Sequence, residues 1–333
     1  MSLKVIKAGM LDTIQDLGRY GHQHLGINPT GAMDKYAMQV ANALAGNALN
    51  EAVIELHFPA AVFLFSRPAI ITLSGADFDA SINGEPVPSL HAIAVNKNDV
   101  LQFHRPVKGA RAYLAARGGF RSEQWLQSCS THLKAKAGGL AGRPLQKDDE
   151  IELKNIEDHT PLLRNGEFCV LPWSADVKLT EETNEICVLP GSEWDRLTPA
   201  SKEQFTNAPF IITKQSDRMG YRLLHQPLES NNPEEMVSSP AGFGTVQLLP
   251  DGKLIVLMAD HQTAGGYPRA AHVITAHHSR LAQLQAGDAF WFRLTDQHTA
   301  EELLLKQQQH LLQLQNACIF RLSEYVQQAR HKL

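Results

Sequence analysis

The sequence predicts a mainly β protein with barrel or sandwich architecture in two halves, a few helices and a C-terminal helix. Three observations carry this. Short runs rich in Val, Ile and Phe recur along the chain, punctuated by Gly, Pro, Asn and Asp. Helical periodicity stands out in only two segments. At 333 residues the chain exceeds the size at which a single core stops growing, so two domains are expected.

Taken in order, the first helix runs roughly from Asp34 to Ala45. Asp34 is a capping residue, Ala37, Val40, Ala41 and Leu44 share one face, and Gly46 is placed to end it. Strands follow at Val62-Phe65 and Ile70-Leu73, a hairpin turn at Asn83-Gly84, and a strand at Ala112-Ala115. A domain boundary is easiest to place in the polar stretch Asn155 to Thr183, which carries Pro161, Gly166 and Pro172. Beyond it lie strands at Ile186-Leu189, Phe210-Thr213 and Leu254-Met258. An aspartate turn running into alternating apolar residues recurs at 98–103, 148–153 and 287–292, which reads either as repeated β architecture or as the turn-then-strand pattern common to β proteins. The tail from about Ala300 to Arg330 is helical, with Leu304, Leu311, Leu314, Cys318, Leu322 and Tyr325 on one stripe. The expected organisation is an N-terminal β domain over 1–160, a second β domain over 161–299 and a helical extension over 300–333.

Composition narrows the function classes. The net charge is −4 and no long basic run occurs, which argues against nucleic acid or an acidic membrane surface as the main partner. Cys129, Cys169, Cys187 and Cys318 show no CxxC spacing, so neither a zinc knuckle nor a disulfide framework is indicated. Reduced thiols, an N-terminus without a signal-peptide core and no long apolar segment point to the cytoplasm. The chain has no P-loop, no GxGxxG helix entrance, no HExxH and no GxSxG elbow. His22 and His24, and the adjacent His277 and His278, are the close histidine pairs, and no metal is expected.

Polar and turn residues cluster in several stretches. The densest is Asp260-His261-Gln262-Thr263-Ala264-Gly265-Gly266-Tyr267-Pro268-Arg269, directly after an apolar strand. Gly265 and Gly266 admit positive φ or close approach of a ligand, and the flanking side chains supply charge and hydrogen bonds. An ordinary polar turn is the competing reading. Further clusters surround Gln15 to Gly21, Gly31 to Asp34, Asp77, and Gln215 to Leu223. Asp34 either caps its helix or helps that helix N-terminus hold an anion.

In this order, Ile14-Gln15-Asp16-Leu17-Gly18-Arg19, Gly31-Ala32-Met33-Asp34, Ala41-Asn42, Gly46-Asn47, Gly75-Ala76-Asp77, Ser216 to Leu223 and Asp260 to Pro268 resemble one family. It is the biotin-dependent carboxyltransferase-like family that includes the C subunit of 5-oxoprolinase, the second subunit of allophanate hydrolase, the Kip antagonist and part of urea carboxylase. The resemblance covers about residues 3 to 295. It implies a cyclophilin-like β-barrel architecture and a hetero-oligomer with a B-subunit homologue, joined by an A-subunit homologue in 5-oxoprolinase. It also implies ATP-dependent opening of 5-oxoproline to glutamate. A lactam carbonyl is a poor electrophile, and phosphorylating its oxygen makes it attackable by water. With no nucleotide motif here, ATP is expected to be shared with partner subunits. No Met-Lys-Met biotin-attachment signature occurs, so no biotin is expected on this chain. Departures from the family pattern fall at Gln127 to Thr131, which lacks an arginine, and at His225 and His261.

Within that reading Asp260, Arg218 and Tyr267 are the expected catalytic residues. Gln15, Arg19, Asp77, Tyr221, Gln262, Thr263, Gly265, Gly266 and Arg269 are the expected substrate-binding residues. Arg19, Arg218 and Arg269 suit a carboxylate or developing oxyanion. The alternatives are a carboxyltransferase component of a biotin-dependent urea or amide carboxylase, and a non-enzymatic regulator that sequesters a kinase-inhibitor partner.

Overall fold

The structure is a computed structural model and describes residues 3–154, 159–163, 166–177, 184–231 and 236–330. It is mainly β, as expected, and divides into two compact units. The first comprises Met1–Gly18, Asp34–Val177 and Gln308–Leu333, and the second Arg19–Met33 and Lys178–Gln307. Of the stretch expected to carry a boundary, residues 155–158, 164–165 and 178–183 lie outside the described residues. The rest holds a 3-10 turn at Thr160–Leu162 and a strand at Cys169–Ser174.

The first unit contains two six-stranded sheets. One inner cluster draws Val5, Phe63, Ile82, Leu101 and Ile151 from one sheet and Ile54, Ile71, Ile93 and Leu114 from the other. Alternation sends the neighbours of these residues to the opposite faces. On one such face lies helix α1 (Lys35–Ala45), which accepts hydrogen bonds from the sheet through Ala37 O (Ser74 Oγ, 2.6 Å) and Ala41 O (Thr72 Oγ1, 2.8 Å). Asp34 caps α1 by accepting from Ala37 N at 2.9 Å, and Gly46 ends it in the left-handed region at φ 67°. The segment that departs from the family pattern is built around Asp16, whose carboxylate accepts from Ser128 Oγ, Cys129 N and Ser130 Oγ.

The second unit holds a closed barrel. Its strands follow the order Glu185–Pro190, Arg269–Val273, Thr245–Leu248, Leu254–Leu257, Gly220–Leu224, Phe210–Ile212 and Ala289–Leu294, the last pairing in parallel with the first. Aromatic side chains fill the interior: Phe205 of helix α2 (Pro199–Asn207) stacks on Phe292 at 4.8 Å and lies against Phe210. A short helix α3 (His278–Ala282) follows the strand ending at Val273. Helix α4 (Gln297–Arg330) is the predicted tail helix, and none of the described helices is long and apolar enough to cross a membrane. Over its later turns the predicted stripe packs on the first unit's own strands and on helix α1, where Leu322 joins Ile70, Ala92 and Leu171, and Cys318 and Leu311 join Val40 and Leu44 of α1.

Candidate functional site

Two strand ends and two loops of the barrel enclose the strongest candidate site. Period-2 alternation creates it. Tyr221, Leu223, Val246, Leu248, Leu254 and Val256 point into the barrel core. Their neighbours Gly220, Arg222, Gln247, Ile255 and Leu257 line a cleft of about 430 Å³ on the outer face of the wall. The loop that follows Leu257 covers this face and contributes Gln262 and Tyr267, while Gln215 and Asp217 enter from the turn before Gly220. A larger adjoining cavity of about 1160 Å³ shares Gln262 and Tyr267 and reaches Glu229, Ser230, Ser238, Gly265 and Gly266.

Each loop is locked from within. Asp217 Oδ1 accepts from Met219 N at 2.7 Å and Gly220 N at 3.2 Å, an Asx turn that aims the next strand. Arg218 forks onto Asp260, with Nε at 2.9 Å from Oδ2 and Nη2 at 3.0 Å from Oδ1, and also donates to Gly31 O at 2.7 Å. Asp260 N returns a bond to Arg218 O at 2.7 Å, and Asn28 Nδ2 donates to Asp260 O at 2.9 Å. Gly265 serves close approach rather than positive φ. A Cβ there would stand 2.7 Å from Gln262 Nε2 and 2.8 Å from Gln247 Nε2.

The expected site residues separate into groups. Gln262, Gly265, Gly266 and Tyr267 do line this composite cavity, and Tyr267 is exposed at its edge. Thr263 accepts from Ala241 N through its carbonyl, and Tyr221 is buried in the barrel core. The three arginines expected to meet an anion are engaged by protein acceptors. Arg218 is held by Asp260. Arg269 forks onto Glu193, both bonds at 2.9 Å, and holds that carboxyl below the usual carboxylate range. Arg19 is buried and donates to Thr30 Oγ1. Gln15 and Asp77 belong to the first unit. Gln15 is buried with its Nε2 on Thr13 Oγ1, and Asp77 forms an exposed turn with Asp79 N.

Arg222 and Gln247 line the cleft without having been among the expected site residues. Arg222 carries a guanidinium with no hydrogen bond or ion pair among the described residues. Gln247 is buried, and its Nε2 has no hydrogen-bond partner among the described residues. Alternation along Gly220–Leu224 and Thr245–Leu248 was the available signal, since both residues are the polar members of strands whose other faces are apolar. The two histidines that break the family pattern are structural. His225 Nε2 accepts from Leu254 N, burial pushing the ring's pKa down, and His261 Nδ1 contacts Gln262 O.

The model of the carboxyltransferase domain, subdomain A and B, matches residues 25–294. The chain belongs to that family. Within it, the C subunit of 5-oxoprolinase from Haemophilus influenzae is 37% identical over 302 residues, covering 91% of this chain and 94% of the relative. The same protein of Escherichia coli K12 is 35% identical, covering 94% of this chain and 97% of the relative. The urea amidolyase of Lachancea kluyveri is 29% identical, but the match spans only 17% of that longer protein. The crystal structure of K. lactis urea amidolyase shares the fold of this carboxyltransferase-domain chain. Its TM-score is 0.85 at 24% identity, over 94% of this chain and 20% of the other.

ATP does not fit the smaller cleft. A triphosphate needs several converging cations or backbone N–H groups. Among the described lining residues this cleft has Arg222 as its cation, beside the carboxylates of Asp217 and Asp251.

Proposed function

We propose that this carboxyltransferase-domain chain is the C subunit of an ATP-dependent 5-oxoprolinase of the cytoplasm, which opens 5-oxoproline to glutamate with homologues of the A and B subunits. The observation that carries the reading is the 37% identity to a protein named as the C subunit of 5-oxoprolinase, sustained over 94% of that relative. A cleft with amide, phenol, carboxylate and guanidinium groups is chemically suited to a small polar lactam. ATP is assigned to the partner subunits, because among the described residues lining the smaller cleft Arg222 is the one cation. The test is reconstitution. The purified chain, mixed with A- and B-subunit homologues, ATP and 5-oxoproline, is expected to release glutamate only when all are present. Full-speed turnover by the isolated chain, or none by the complete set, overturns the reading.

A second reading, a component of a biotin-dependent urea or amide carboxylase, is favoured by the shared fold with urea amidolyase. It requires a biotinyl carrier on another polypeptide. Carboxybiotin turnover with urea, in the presence of this chain, would support it over the first.

A further inference from the structure

Arg222 and Gln247 sit in one row across the outer face of the barrel. Arg222 pairs with Ile255, and Ile255 pairs with Gln247 on the next strand. Two strand spacings put their Cα atoms about 10 Å apart. The two side chains therefore reach toward a common space above Ile255, which also lines the cleft.

Gln247 is unusual for a residue only 1% exposed. A buried carboxamide without a hydrogen bond costs about 1–3 kcal/mol, and its Nε2 has no partner among the described residues. The strand shifts register against Arg269–Val273 between Val246 and Gln247, a bulge of the kind that re-aims a side chain. Gly265 gives it room: a Cβ at that position would stand 2.8 Å from the same Nε2. So a bulge, a glycine and an unmet donor converge on one atom. Arg222 is the complementary feature, a guanidinium free of ion pairs among the described residues, whereas Arg218 and Arg269 are each neutralised by a carboxylate.

We propose that this cleft is the site of a small carboxylated lactam, with Arg222 holding its carboxylate and the Gln247 carboxamide pairing with its amide edge. A lactam is a cis amide, so its C=O and N–H lie on one edge. A primary carboxamide offers a donor and an acceptor in the matching arrangement. Guanidinium meets carboxylate as a two-pronged fork. A volume of about 430 Å³ suits a molecule of this size. The choice of ligand rests on the 5-oxoprolinase reading; the recognition chemistry does not.

The test is calorimetric titration of the full chain, alone and in complex with its partner subunits, using L-5-oxoproline, 2-pyrrolidinone and L-proline. The wild-type chain is expected to bind 5-oxoproline at least about tenfold more tightly than either analogue, one lacking the carboxylate and the other the amide carbonyl. Gln247→Glu keeps the shape but replaces the donor by an acceptor, and should weaken 5-oxoproline at least about tenfold. Arg222→Ala, on an exposed side chain, should erase the preference over 2-pyrrolidinone and leave the preference over proline. Wild-type binding by both variants, or no discrimination by the wild type in either state, overturns the assignment. If the variants keep normal KM in a reconstituted complex that releases glutamate, the site is wrong and the 5-oxoprolinase reading survives. If the discrimination pattern appears but no complex opens the lactam, the site stands and the reading fails.

Discussion

Arg218 and Asp260 form a two-pronged ion pair at 2.9 and 3.0 Å, and their backbones are joined by a 2.7 Å bond from Asp260 N to Arg218 O. The side chains are only 7% and 16% exposed. The pair ties the turn before Gly220 to the loop after Leu257, the two segments that frame the cleft. Removing one partner leaves the other charge buried and unpaired. Arg218→Ala is therefore expected to destabilise the chain by about 3–5 kcal/mol. Arg218→Lys should fall between, because an ammonium cannot reproduce the fork. Denaturant unfolding measures both, and a loss under about 1 kcal/mol for the alanine variant would contradict the geometry.

This pair also shows what a sequence can and cannot convey. Residues 218 and 260 lie in motifs that resemble the family, so their importance was legible, but the partnership depends on a barrel closing over non-local pairings. A chain of residues does not say which arginine is neutralised. Arg218 and Arg269 looked like anion ligands because their loops are polar, and the structure gives each a carboxylate. Arg222 lies in the same motif as Arg218, but only strand pairing puts it in a row with Gln247. Helix α1 was readable almost to the residue, because cap, periodicity and terminal glycine are all local signals. The barrel strands at Val188 and Phe210 were readable as apolar runs, but not their closure through Ala289–Leu294, which pairs in parallel with the first and antiparallel with the second.

Helix α4 supplies a test of packing. Leu322 is fully buried against Ile70, Ala92 and Leu171, while Leu312 and Phe320 on other faces are exposed. Leu322→Ala is expected to cost about 2–5 kcal/mol through lost burial and the cavity left behind. Leu312→Ala should change stability by no more than about 0.5 kcal/mol. Equal effects in thermal and denaturant unfolding would mean that the stripe is not docked.

All four cysteines are free thiols, and they differ in access. Cys129, Cys169 and Cys318 are buried and Cys187 is half-buried. Burial pushes the Cys318 thiol up to about 11, which further suppresses the reactive thiolate near neutral pH. Titration of the native chain with a chromogenic disulfide at mildly alkaline pH is expected to modify Cys187 ahead of the other three. Denaturant should expose all four. Rapid native labelling of Cys318, read by peptide mass, would show that the α4 contact opens readily.

His277 predicts a pH dependence whose sign can be worked out. Its Nδ1 accepts a hydrogen bond from Cys187 N at 2.9 Å, so the fold requires the neutral ring. Burial, aided by the nearby Arg280 charge, pushes its pKa from an ordinary 6.5 down to about 4. The unfolded chain thus binds a proton more readily than the native one, and stability falls as acid is added. The contribution is intact above about pH 6.5 and is lost progressively as pH drops through about 4. Between about pH 7.5 and about pH 5 this group should remove at most about 2 kcal/mol from the unfolding free energy. His277→Asn keeps an acceptor near the position of Nδ1 and removes the titration. That variant should therefore lose less stability than the wild type over the same interval, when both are followed by denaturant unfolding at several pH values. Parallel pH profiles for the two chains would show that the ring does not carry this linkage.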